Sequence, residues 1–326
     1  MLENMWRGVA IVAASDEGYK LGERILKLLK NKEIPVVLYK YKEADIEKIW
    51  NCFDVIIFIM ALEGSVRTIC KYAKAKHLDP PVIGIDDLGK YVIPVLGGHW
   101  GANEVTLEIS ELINATPIIT TASELKSKPN VELIAKLTIS KIENPENIVK
   151  INSAILKGER VCLKGIDIKV EGLEEYSEEC KYVITTTSEE NINNHDKVIL
   201  KLKPLELAVG IGSKKSVDIE IVSEKIIKIL ERLKIRNRIR VVASVREEMK
   251  RIAEILNAKF KLVSFDEIRN FEHPCLTPPS NKLIELGIKG VAEISALLAG
   301  GSSSRLVFRK ISIDNEVTLA IATIEG

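Results

Sequence analysis

The chain has 326 residues, 46% hydrophobic and 29% charged, with 47 basic residues balanced by 46 acidic ones. This excludes a disordered chain, and the near-neutral charge excludes the basic footprint of a nucleic-acid binder. The length exceeds one typical core, so two or three domains are expected, and no apolar run approaches a membrane span.

Elements alternate through the first third. Gly8 to Ala13 reads as a strand, Asp16 to Lys30 as an amphipathic helix and Pro35 to Tyr39 as a second strand. Asp54 to Met60 is a continuous apolar strand, as in a sheet covered on both faces. Ser65 to Lys76 is expected to be helical, Val82 to Ile85 and Tyr91 to Leu96 to be strands, and Asp86-Asp87-Leu88-Gly89 to be a hairpin turn. A helix over Ala102 to Ile113 and a strand over Thr116 to Thr121 complete a Rossmann-like unit, residues 1–125. Residues 126–204 form a smaller α/β middle segment, with helices over Val131 to Ile139 and Asn147 to Leu156. Its expected strands lie near Arg160 to Leu163, Ile166 to Val170, Tyr182 to Thr186 and Lys197 to Lys201. A separate α/β unit, residues 205–326, opens with the strand Leu205 to Ile211 and a helix from Ser216 to Leu233. It closes with an antiparallel pair, Leu306 to Ser312 and Val317 to Thr323.

The five cysteines are odd in number, widely spaced and without a CxxC pair, so a reducing cytoplasm is expected and neither a zinc ribbon nor a redox dithiol. Met1-Leu2-Glu3-Asn4 lacks the features of a secretory signal. Glutamine is absent and Ile, Lys and Glu are abundant, a bias that fits a thermophile.

The most informative stretch is Gly97-Gly98-His99-Trp100-Gly101-Ala102-Asn103, which places a histidine in a glycine-rich turn between a strand and a helix. At the carboxyl end of a parallel strand, ligands bind. Glycine allows close backbone approach, free N–H groups open the next helix, and histidine exchanges protons near neutral pH. The turn matches neither GxGxxG nor a Walker loop, and its glycines also suit plain backbone punctuation.

This turn, together with Ala61-Leu62-Glu63-Gly64-Ser65-Val66-Arg67, Asp79 to Gly89 and Ile118 to Ala122, resembles the cobalt-precorrin-5A hydrolase (CbiG) family of anaerobic cobalamin biosynthesis. Val209-Gly210-Ile211-Gly212, Ala243-Ser244-Val245, Gly290 to Ala299 and Val317 to Ala322 resemble that family's C-terminal domain. The family's histidine loop reads GHxGGAN, and this chain has one glycine fewer.

The resemblance implies an enzyme that opens the δ-lactone of a cobalt-corrinoid intermediate and releases acetaldehyde. It implies no cofactor of its own, because cobalt arrives in the substrate, and no protein-held metal. It leaves open a homodimer and transient contacts with neighbouring pathway enzymes.

For that reaction, His99 is the expected base or proton shuttle, Asn103 the group that orients water or substrate, and Asp86 the partner of His99. Backbone N–H groups around Gly101 to Asn103 are expected to hold an oxyanion, and Gly98 and Gly101 to lie against the substrate. Arg67, after Gly64, suits a substrate carboxylate. Thr120, Thr121, Gly210, Gly212 and Glu293 are further expected substrate contacts. Each has a plainer reading: a surface ion pair for Arg67, a helix cap for the threonines, a tight turn for the glycines, a cross-link for Glu293. A non-catalytic tetrapyrrole carrier is the alternative function, and an unrelated nucleotide-binding α/β protein ranks last.

Overall fold

The apolar run beginning at Val55 forms the centre of a six-stranded sheet. In the computed structural model, which describes residues 1–76, 78–120, 129–166, 168, 170, 172–186 and 196–324, the first unit runs in chain order. Its elements are β1 (Val9–Ala13), α1 (Asp16–Asn31), β2 (Val36–Lys40), α2 (Ile46–Cys52), β3 (Val55–Ile59), α3 (Leu62–Ile69), β4 (Val82–Ile85), β5 (Tyr91–Leu96), α4 (Ala102–Ile113) and β6 (Thr116–Pro117). The strand order is β2-β1-β3-β4-β5-β6. Every residue of β1 and β3 is buried, because helices cover both faces. Side chains of α1 and α4 pack on one face, and those of α2 and α3 on the other.

Three details differ from the pattern-based expectations. The short helix α2, capped by the Asp45 carboxylate on Lys48 N–H, adds to them. Helix α3 ends at Ile69, where the Ile69 carbonyl accepts the Tyr72 and Ala73 N–H groups and closes a turn. β6 is only two residues long, leaving Thr120 beyond it, while Thr121 falls outside the described residues.

The middle unit comprises α5 (Val131–Leu137), β7 (Ser140–Ile142), α6 (Ile148–Lys157), β8 (Val161–Lys164), β9 (Glu174–Glu175), β10 (Tyr182–Thr186) and β11 (Val198–Pro204). Its sheet order is β7-β11-β10-β8-β9. Helix α5 stops short of Ile139, which adopts a left-handed φ of +46°. The chain then turns into β7, antiparallel to β11. The edge strand on β8 is β9, and the expected strand over 166–170 lies partly outside the described residues.

The third unit comprises β12 (Leu207–Ser213), α7 (Ile219–Arg232), β13 (Ile239–Ser244), α8 (Lys250–Ile255), β14 (Lys259–Leu262), α9 (Phe265–Asn270), α10 (Asn281–Glu285), α11 (Ala292–Gly300), β15 (Leu306–Ile313) and β16 (Val317–Thr323). The order β14-β13-β12-β16-β15 joins a parallel half to an antiparallel one. Asp218, rather than Ser216, caps α7, since its carboxylate accepts the Glu220 and Ile221 N–H groups. Among the described residues these strands form three separate sheets.

β15 docks on the first unit. The Arg309 N–H donates to the Trp6 carbonyl at 2.9 Å, and the Arg309 guanidinium donates to the carbonyls of Arg7 and Cys52. Beside it, Cys52 and Cys275 form a disulfide across 223 residues, and Cys162 and Cys180 form a second. Cys70 is the free, exposed thiol. Neither pairing was readable from the sequence, because folding brings together cysteines whose wide spacing gave no local signal. Replacing both Cys52 and Cys275 with serine is expected to lower unfolding stability by about 2–4 kcal/mol, since the long loop they close is then free in the unfolded chain. Guanidinium denaturation with and without reductant measures this, and coincident midpoints would refute it.

Candidate active site

The histidine turn is built by two glycines. Gly97 and Gly101 bracket one 3-10 turn, Gly98–Trp100, with left-handed φ values of +81° and +89°. A Cβ on Gly97 would lie 2.5 Å from the Pro81 nitrogen, so only glycine lets the turn seat on Pro80–Pro81. Gly98 is partly buried, and its carbonyl accepts the Gly101 N–H. His99 is exposed, and Asn103 is buried in the first turn of α4. Asn130 donates through Nδ2 to the His99 carbonyl at 3.1 Å, while its Oδ1 caps α5 by accepting the Leu133 N–H. The residue that starts the middle unit's first helix thus also clamps the histidine turn.

The structure separates the expected constellation. β4 and β5 are antiparallel, with Val82 opposite Leu96. The hairpin therefore carries His99 to the amino edge of the parallel strands, while Asp86 stays at their carboxyl edge. At about 3.3 Å per residue, the six residues of β5 put the two turns roughly 20 Å apart. Asp86 accordingly does not orient His99. Its carboxylate accepts the Tyr91 N–H at 2.7 Å and the Leu88 N–H at 3.2 Å, closing the hairpin. Gly64 and Arg67 lie on α3, which leaves the carboxyl edge on the face opposite α4. Arg67 is 79% exposed and paired with Glu63 at 2.6 Å along one helix face. At Gly64 a Cβ would meet only Met60 at ordinary contact distance, so nothing there demands glycine. Thr120 is exposed.

The C-terminal expectations are corrected as well. A Cβ on Gly210 would lie 1.9 Å from the Ala292 carbonyl oxygen. On Gly212 it would lie 2.7 Å from Thr318 Oγ1 and 3.1 Å from Val291 Cβ. These glycines let α11 and its flanking residues close onto β12, so a ligand cannot occupy that face. Glu293 is 2% exposed, and its carboxylate accepts the Thr277 N–H and hydroxyl and the Lys310 N–H. It cross-links α11, the 277 loop and β15.

At the amino edge, beside the histidine turn, a cleft of about 700 Å³ opens between α2, the 71–81 loop, Trp100 and helix α5 of the middle unit. Trp50 and Tyr72 pack with ring centroids 5.8 Å apart. The Lys136 ammonium lies 5.4 Å from the Trp100 ring centroid. Behind it, the buried Asp54 carboxylate pairs with Arg7 at 2.9 Å and Lys136 at 3.0 Å. Burial alone would push this carboxyl up, but Lys136 and Arg7 outweigh it and hold the group below the usual carboxylate range. Flat apolar rings ringed by lysines and an arginine suit a planar, carboxylate-bearing ligand. Sequence reasoning missed Arg7, Asp54 and Lys136. The available signal was a carboxylate opening a wholly apolar strand, which needs a buried cation.

Three family models match the chain in tandem: Cobalamin synthesis G N-terminal over residues 44–124, the CbiG-like linker domain over 129–205 and Cobalamin synthesis G C-terminus over 207–322. The crystal structure of a cobalamin biosynthesis protein G homologue from Sulfolobus solfataricus has a TM-score of 0.88 and 50% identity, covering 99% of both chains. The chain belongs to the CbiG family. Among curated relatives, the cobalt-precorrin-5A hydrolase of Priestia megaterium is 23% identical over 97% of this chain and 94% of its own length. The probable cobalt-precorrin-5A hydrolase of Methanocaldococcus jannaschii is 27% identical over 97% of this chain and 98% of its own.

In CbiG terms, the cleft lies where the N-terminal and linker units meet, and Asp54 is the ion pair across that seam. Its depressed carboxyl gives a testable pH dependence. The stabilisation is fully present above the unfolded aspartate value of about 3.9 and is lost as pH falls through the lower folded value. The stability gap between the wild type and Asp54→Asn is therefore expected to be largest near neutral pH and to shrink in acid. Urea midpoints measured from neutral to strongly acidic pH check this, and a gap independent of pH would contradict it.

Proposed function

We propose that this CbiG-family chain is a cobalt-precorrin-5A hydrolase, which opens the δ-lactone of its corrinoid substrate and releases acetaldehyde to give cobalt-precorrin-5B. The observation that carries the reading is the meeting of the His99 turn with the amino-edge cleft, within a chain matched along nearly its whole length by relatives of that name. Trp50, Tyr72 and Trp100 offer ring faces to the macrocycle, and Lys71, Lys74 and Lys136 offer charge to its peripheral carboxylates. Asp54 holds Lys136 and Arg7 in place.

Lactone hydrolysis needs water delivered to the carbonyl carbon, donors for the tetrahedral oxyanion and a proton for the departing oxygen. The subsequent C–C cleavage needs a further proton transfer. His99 is the proton-transfer group in this reading; the Gly101 and Ala102 N–H groups are already bonded to the Gly98 and Gly97 carbonyls, so the lysines of the cleft are left to stabilise the oxyanion. The reaction requires no resident cofactor, since cobalt enters as part of the substrate. A cytoplasmic setting is compatible with the two disulfides if the source is a hyperthermophile, whose intracellular proteins retain such bonds.

The test is incubation of the purified chain with cobalt-precorrin-5A, followed by aldehyde detection and product mass. Stoichiometric acetaldehyde with the matching mass loss is expected. Tight corrinoid binding without acetaldehyde would instead identify a carrier.

A further inference from the structure

A second charged cavity lies on the other side of the first unit and shares no residue with the amino-edge cleft. It is a groove of about 820 Å³ between α1, α7 and β15. Lys27 and Lys30 stand three residues apart on α1, and Lys225, Lys228 and Arg232 occupy one stripe of α7. Lys310 enters from β15. Three acidic groups reach this set: Asp314 pairs with Lys225, Glu33 pairs with Arg232, and the buried Glu293, itself beside Arg309, attracts Lys310 without an ion pair to its ammonium. Among the described residues, no carboxylate pairs with Lys27, Lys30, Lys228 or Lys310 in this groove.

Lys310 is the telling member. Its side chain is half-buried, and burial lowers the pKa of its ammonium. Glu293 opposes that shift, while Arg309 and Lys30 add to it. Its backbone N–H is used by Glu293, but its ammonium has no hydrogen-bond acceptor among the described residues. A partly desolvated cation facing another lysine across a domain boundary is costly unless an anion sits between them. Solvated lysines on a convex surface would diverge, whereas these converge on one concavity from both the N-terminal and the C-terminal unit.

We propose that the groove between α1 and α7 binds a small multivalent oxyanion, a molecule carrying two or more carboxylates or phosphates, which bridges the two units. The shared chemistry is charge-assisted hydrogen bonding from Lys30, Lys228 and Lys310. Binding favours the folded state and raises its melting temperature by mass action. The inference is independent of the hydrolase reading.

The experiment is thermal unfolding and calorimetric titration of the full chain with citrate and, separately, with pyrophosphate, each against sodium chloride at matched ionic strength. A saturable rise in Tm beyond the chloride control is expected. Affinity should be at least about tenfold weaker in the double variant Lys30→Ala/Lys228→Ala, whose altered side chains are exposed, and unchanged in the remote control Lys157→Ala. A response to citrate alone would assign a carboxylate ligand, and to pyrophosphate alone a phosphate ligand. Absence of any response beyond chloride, or equal affinity in the double variant, would overturn the proposal.

Discussion

Replacing His99 with alanine is expected to lower acetaldehyde release by about 10²–10⁴-fold while leaving the fold intact. The side chain is exposed and belongs to none of the buried clusters, so its removal costs little stability. The turn itself is held by features the substitution does not touch. These are the left-handed glycines 97 and 101, the contact with Pro81 and the Asn130 bond to the backbone carbonyl of residue 99. A fall in kcat with unchanged circular dichroism and Tm is the expected signature. Arg67→Ala is the contrast. Its guanidinium is solvent-exposed and paired with Glu63 on another face of the sheet, so release should stay near the wild-type rate. Unchanged turnover in His99→Ala would remove the histidine from the chemistry and leave Lys136 as the next group to test.

Replacing Arg309 with methionine is expected to lower unfolding stability by about 3–5 kcal/mol, because it leaves several buried carbonyls without a donor and a buried carboxylate without its counter-charge. Arg309 is 1% exposed. It donates to the carbonyls of Arg7 at 2.7 Å, Cys275 at 3.0 Å and Cys52 at 2.9 Å, and to the Thr277 hydroxyl at 3.0 Å. Its guanidinium carbon stands 3.8 Å from the Phe53 ring centroid and its Nη1 3.9 Å from Glu293. Burial lowers the guanidinium's pKa, and Glu293 chiefly opposes that shift. Removing the cation strands Glu293 at 2% exposure, so adding Glu293→Gln should restore part of the loss. Because these bonds join β15 to the first unit, Arg309→Met should also make unfolding less cooperative. Urea titration followed by far-UV and tryptophan signals measures both effects. A single variant within about 1 kcal/mol of wild type would refute the role assigned to this residue.

Much of the architecture was legible along the chain because it depends on local periodicity. The apolar run at Val55–Ile59 could only be a doubly covered strand, and the stripe through Ile25 and Leu29 could only be one buried face of α1. The glycine pattern around His99 located its turn, since left-handed backbone leaves a mark in the residue type itself. Even the hairpin at Asp86 was visible. That hairpin reverses the strand, and the reversal moves His99 to the opposite sheet edge from Asp86.

Tertiary structure alone decided which distant residues meet. Gly210 and Gly212 look alike whether a ligand or a helix approaches them, and only the position of α11 distinguishes the two. Cys52 found Cys275, Asp54 found Lys136, and Arg309 found the carbonyls of Cys52 and Cys275, 223 residues apart in the chain. Sequence determines a residue's chemistry and its local geometry through short-range sterics and periodicity. The partner of a buried charge or thiol is set by long-range packing, in which elements far apart in the chain come together to cover apolar faces, and that information resides in no local pattern.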